Sequence, residues 1–188
     1  MNIALDLGYA DEQLLVQACI ARERWAQKKL YEDHYGKMMS VCLRYADNED
    51  DALDILHEGF IKIFKNIAKY QPGTALTAWV RTIMVNTSID YYRKAVRRRT
   101  DDLDQAYAVS TDMPDAISRC SEKDILAAIR LLTPAYRTVF NMYVIEGYSH
   151  KEIAEQLEIT ESTSRSNLVK ARLKLQVLLS GKYAAHGE

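Results

Sequence analysis

Arg165, Ser166, Asn167, Lys170 and Arg172 fall within eight consecutive positions near the C-terminus. Their chemistry is recognition rather than bond-making. A guanidinium can donate two parallel hydrogen bonds to the edge of a guanine, and a carboxamide can match an adenine in the same way. A second basic group, "RKAVRRR" from Arg93 to Arg99, holds five cations in seven residues. Such runs suit phosphate, or simply a solvated helix end. His34, His57, His150 and His186 show no metal-ligand spacing with one another or with Cys19, Cys42 and Cys120. No metal and no cofactor is expected.

The first polar set needs a helix to present it. Ser149 followed by Glu152 is a capping box, so a helix should begin there. Ile153, Ala154 and Leu157 give it one apolar face. Glu158-Ile159-Thr160 forms a short turn, and Thr160 can cap a second helix whose positive end Glu161 favours. Leu168, Ala171 and Leu175 would be the buried side of that helix. The polar set points elsewhere, as in a helix-turn-helix whose second helix enters the major groove. The same pattern suits a plain helical hairpin with a hydrated face. Glu158 sits where many such turns carry Gly, and a left-handed backbone there costs about 1 kcal/mol.

The remainder of the chain is helical in pattern. With 188 residues, 48% hydrophobic, seven Gly and three Pro, it can bury real cores and is not turn-rich β. No apolar run is long enough to span a membrane, and no basic segment precedes an apolar stretch at the N-terminus. Three scattered cysteines point to reduced thiols and a cytoplasmic setting. Net charge is only −1, but acid gathers in "DNEDDALD" and "DDLD", away from the basic runs. Helices are expected over about 11–25 and 26–45, then from the acidic run at Asp47 onward. "KYQPGT" breaks that third helix, and another holds Trp79, Ile83, Asn86 and Asp90. From Thr100 to Cys120 the pattern fails around Pro114, which reads as a linker. Thr133 and Pro134 mark a helix start beyond it. The expectation is an all-α protein: two small helical domains, 1–99 and 121–188, joined by a flexible linker over 100–120, the second a helix-turn-helix.

This order of parts resembles a bacterial RNA polymerase sigma factor of the extracytoplasmic-function group. "DALDILHEGFIKIF" is similar to that group's D-A-x-D-x-x-Q-E-x-F-x-x-x-(F/W) segment, matching at Asp51, Ala52, Asp54, Glu58, Phe60 and Phe64, with His57 where Gln is usual. "AWVRTIMVNTSIDYYRK" resembles its A-W-L-x-x-I-A-x-N-x-x-x-D-x-x-R pattern at Trp79, Ile83, Asn86, Asp90 and Arg93. "YSHKEIAEQLEITESTSRSNLVKAR" resembles its helix-turn-helix, with Ser162 for the usual Gly and Asn167 for a frequent Arg.

The resemblance implies a non-enzymatic protein that binds core RNA polymerase and promoter DNA, with an anti-sigma factor as a common further partner and no membrane insertion. It implies that Asp54, His57, Glu58 and Lys62 meet the polymerase. The loop Lys69 to Thr77 and the helix from Trp79 would serve the minus-ten element through Trp79, Asn86, Arg93, Lys94 and Arg97, Asn86 at an opened base and the cations on phosphate. For Trp79, packing in the core is the favoured reading. Ser162, Thr163, Arg165, Ser166, Asn167, Lys170 and Arg172 would serve the minus-thirty-five element. The competing readings are a helix-turn-helix regulator that is not a polymerase subunit, and a helical adaptor whose basic run binds acidic proteins.

Overall fold

The computed structural model describes residues 3–98 and 122–184. The chain packs as two compact units, Met1–Ser88 and Ile89–Glu188. Every described element is helical apart from one isolated bridge between Pro72 and Thr74. No described helix is long and apolar enough to cross a membrane. The segment expected to be a linker, with Pro114 and Cys120, lies outside the described residues, as does His186.

In the first unit, α1 spans Ile3–Ile20 and α2 Arg24–Tyr45. The sequence pattern predicts a first helix over about 11–25, whereas the helix begins at Ile3 and ends at Ile20. It stops earlier because Arg22 turns left-handed (φ 62°) and the Glu23 amide bonds back to the Ala18 carbonyl at 2.9 Å. That closure normally uses Gly, so nothing in the residue types announces it.

The third helix, α3 (Glu49–Asn66), is capped by Asn48, whose side chain accepts the Asp51 amide at 2.8 Å. Glu49, Asp50 and Asp51 lie in its first turn, where the helix dipole favours negative charge. A short 3-10 turn, Ile67–Lys69, ends it, and α4 runs Leu76–Arg98, the division between the units falling within it after Ser88. Gly59 lets α3 approach α4: a Cβ there would lie 2.5 Å from Met84 Sδ. Buried His34 joins α2 to the start of α4. Its Nδ1 is 2.9 Å from the Leu30 carbonyl oxygen, which requires a proton on Nδ1, and its Nε2 is 3.2 Å from the Thr77 hydroxyl. Cys19 and Cys42 are free and buried; burial pushes the Cys42 thiol up to about 12, which suits packing rather than reactivity.

In the second unit, α5 is Glu122–Arg130 and α6 Pro134–Phe140. Thr133 occupies the N-cap position expected of it, but its side chain makes no capping bond. A π-helical turn, Asn141–Ile145, follows α6, with the Glu146 amide on the Asn141 carbonyl at 3.0 Å. Then come α7 (His150–Leu157) and α8 (Glu161–Ala184). Ala128, Ile129 and Leu132 pack with Ala171, Leu175 and Leu179 to form the core beneath the C-terminal half of α8.

Candidate nucleic-acid interface

The helix-turn-helix is built from local bonds. Ser149 and Glu152 form both halves of the capping box. The Ser149 backbone N–H, and then its hydroxyl, holds the Glu152 carboxyl below the usual range. Glu158 adopts the left-handed conformation expected of it (φ 58°, ψ 41°), and the Ile159 amide closes on the Ala154 carbonyl at 3.1 Å. The Thr160 hydroxyl accepts the Thr163 amide at 3.1 Å and so caps α8. That bond removes the Thr163 N–H from the donors free to meet a phosphate.

Ile153, Ala154 and Leu157 of α7 are buried, as are Ser164, Leu168 and Ala171 of α8. A second contact pins the two helices: His150 Nδ1 lies 2.9 Å from the Ser164 hydroxyl. The His150 ring stacks on Tyr143 at 4.4 Å, and the Arg172 guanidinium lies 6.0 Å from the Tyr143 ring centre. Burial, then the nearby Arg165, depresses the His150 pKa; Arg172 adds to this and Glu161 opposes it.

The exposed side of α8 carries two stripes. Ser162, Ser166 and Lys170 recur every four residues and are exposed. Arg165, Val169 and Arg172 form the stripe beside them, all exposed. Arg165 pairs with Glu161 at 2.7 Å, and Lys170 Nζ sits 5.9 Å from the Tyr136 ring centre. Asn167 is set apart on the other flank and half-buried. Val169, 56% exposed between the two arginines, is absent from the residues singled out by sequence.

On α4, Asn86 is exposed; Arg93 follows at i+7 and Arg97 at i+11, so all three share one stripe of the helix. Lys94 lies beside it and is exposed. Asp90 is 4.0 Å from the Arg93 guanidinium. Trp79 is half-buried and meets the Tyr70 ring edge-on at 5.7 Å. It is therefore placed to prop the loop before α4. Gln71 to Ala75 of that loop are exposed.

On α3, Asp54 and His57 are exposed, while Glu58 and Lys62 are half-buried and pair at 3.4 Å. Ile61 completes this face at 53% exposure, an apolar side chain that the sequence pattern assigned to no site. Among the described residues no cluster of His, Cys, Asp or Glu could hold a metal.

Comparison with known proteins gives these surfaces a common setting. Residues 30–98 match the family model for sigma-70 region 2, and residues 122–175 that for sigma-70 region 4. Each match is under half of the chain; together they cover most of it. The chain is 30% identical over 157 residues to the ECF RNA polymerase sigma factor SigE of Mycolicibacterium smegmatis, a match covering 81% of this chain but only 61% of that relative. It is 28% identical over 177 residues to the ECF RNA polymerase sigma-E factor of Haemophilus influenzae, covering 86% of this chain and 93% of that one. A solved structure of the sigma factor RpoE in complex with the anti-sigma factor NepR from Bartonella quintana aligns at 20% identity with a TM-score of 0.48, covering 81% and 96% of the two chains. With regions 2 and 4 both present, and in that order along the sequence, the chain belongs to the sigma-70 family of RNA polymerase sigma factors, within its ECF group.

Proposed function

We infer that this chain binds core RNA polymerase and directs it to promoters, acting in the cytoplasm as an initiation factor rather than a catalyst. The observation that carries the reading is the pair of family regions, with a helix-turn-helix in the second whose exposed face is polar and basic. A regulator acting apart from polymerase has no evident use for residues 30–98, so the region 2 match speaks against that alternative.

Roles for individual residues are proposed on geometry. The working division is 1–99 for polymerase and minus-ten contacts, 100–120 as linker and 121–188 for the minus-thirty-five element. Asp54, His57, Glu58 and Lys62 would give the docking face of α3 its charge, which governs orientation and association rate more than affinity. Ile61 would supply its apolar centre, desolvated on binding. Asn86 offers a donor and an acceptor to an unstacked base. Arg93, Lys94 and Arg97 would hold phosphates, which position without reading sequence. On α8, Arg165, Ser166, Lys170 and Asn167 would face base edges, and Val169 a thymine methyl. Arg172, Ser162 and Thr163 would hold the backbone, Thr163 by its hydroxyl because its amide is taken. An anti-sigma factor is added as an antagonist on group membership alone.

Run-off transcription with purified core polymerase tests the reading. Specific starts should appear only when the chain is added. Absence of both core binding and specific initiation would defeat it.

A further inference from the structure

Helix α1 precedes the matched region 2, which begins at residue 30. It is nonetheless packed on α2 and on the 3-10 turn Ile67–Lys69 that leads into the loop before α4. Val16 and Cys19 of α1 are buried, as are Ile67 and Tyr70 at the root of that loop.

A polar contact joins the two. The Tyr70 hydroxyl lies 2.6 Å from Glu12 Oε1, across 58 residues of sequence, and also reaches the Thr74 carbonyl oxygen. The phenol has a single proton, so the two oxygens share it. Above this point the loop is tied to itself: the Thr74 hydroxyl and amide both donate to the Gln71 carbonyl, at 2.9 and 3.4 Å, and Gly73 supplies a positive φ of 98°. Trp79 packs edge-on against the same Tyr70 ring. The loop is thus fixed at its root while Gln71 to Ala75 remain exposed.

We propose that α1 is a brace for the minus-ten reading loop, with Glu12 as its positioning residue acting through Tyr70. The proposal rests on the reading of this loop as a minus-ten contact. A phenol held at both Glu12 and Thr74 fixes where the loop's exposed edge stands relative to α4. Without Glu12, Tyr70 keeps its local bond to Thr74 but loses its tie to α1. The loop should then sample more positions, and a base contact depends on placement to within about an ångström.

Two measurements separate the brace from the reading. Amide hydrogen exchange on the full-length protein should show faster exchange at Thr74 in Glu12→Ala and in Tyr70→Phe, and near-normal exchange in Glu12→Gln, which keeps an acceptor oxygen. Open-complex formation by reconstituted holoenzyme should fall roughly tenfold in Glu12→Ala, about the worth of one hydrogen bond to a charged group, and recover in Glu12→Gln. Loss should be greatest on promoters whose minus-ten sequence is most sensitive to Asn86→Ala. Unchanged exchange in both Glu12→Ala and Tyr70→Phe refutes the brace, whatever the promoter does. Faster exchange with unchanged opening refutes its role in promoter reading, and if Asn86→Ala is also silent the loop assignment falls with it. Equal impairment by Glu12→Gln and Glu12→Ala refutes the acceptor role.

Discussion

Arg165 offers the sharpest quantitative test, because the structure shows what it must give up in order to read a base. Its guanidinium is paired with Glu161 one turn earlier at 2.7 Å, with the two side chains 61% and 43% exposed. A pair this exposed is worth about 0.3–0.5 kcal/mol, whereas a bidentate contact with guanine discriminates by about 1–3 kcal/mol. The base contact therefore wins, with about 0.5–2.7 kcal/mol left over. Arg165→Ala should lower holoenzyme binding roughly two- to a hundredfold on the preferred upstream sequences and little on sequences that lack the contacted base. Glu161→Gln frees the guanidinium in advance. It should raise affinity about twofold where Arg165 reads a base, beyond the general effect of removing an acid, which the same change in an Arg165→Ala background measures. The assay is binding to a panel of minus-thirty-five variants at several salt concentrations. Arg172→Ala, which alters a cation held near the Tyr143 ring, is the contrast: binding should fall nearly uniformly and the salt slope by about one. An unchanged ranking of variants in Arg165→Ala, or no coupling between positions 161 and 165, refutes base reading by Arg165.

Three further outcomes are expected. Asn86→Ala should weaken promoter opening by about 1–3 kcal/mol while core binding is retained; permanganate reactivity equal to that of the unaltered protein would reduce Asn86 to a surface residue. Gly59→Ala should destabilise the first unit by about 1 kcal/mol: displacing fully buried Met84 costs about 1–3 kcal/mol, offset by about 1 kcal/mol of helix propensity, and a raised urea midpoint would contradict this. Because His150 is held below its ordinary value of 6.5 in the folded state, the unfolded chain takes up the proton first. Its share of stability should be lost as pH falls from about 6.5 towards the depressed folded value, with no further loss below that. His150→Gln should flatten this part of the pH profile in melts between pH 7.5 and 5, while the loss due to Glu152 belongs to more acidic conditions, below 4.5.

The elements legible in the sequence were those stabilised by near neighbours. The Ser149 and Glu152 box, the acidic start of α3 and the left-handed Glu158 are each decided within a few residues. The early stop of α1 at Ile20 was not legible, because a left-handed Arg22 carries no compositional signal. Nor was the π-helical turn at Asn141–Ile145, where apolar periodicity alone predicts a continuing α-helix. Val169 and Ile61 carry no sequence signal for another reason. Each helix has more apolar residues than its buried face can hold, and periodicity does not say which of them is left in water. The Glu12–Tyr70 contact spans 58 positions, beyond the reach of any local pattern.

Helix α8 has 24 residues, about 36 Å at 1.5 Å per residue. Its C-terminal half is anchored through Leu175 and Leu179, and its first turns through Ser164 and Leu168 on the side away from the polar stripes. Residues that hold the helix and residues proposed to face a groove are therefore different residues. Surface positions such as Ser162, Ser166 and Lys170 can be exchanged at a cost usually within about 0.5 kcal/mol. Ser162 and Asn167, where this chain departs from the group's usual residues, are outside the buried set. If the proposed base-facing residues set promoter preference, it can drift by single substitutions without passing through an unfolded intermediate. Duplicated copies of such a gene could diverge in the promoters they serve while their scaffold stays the same.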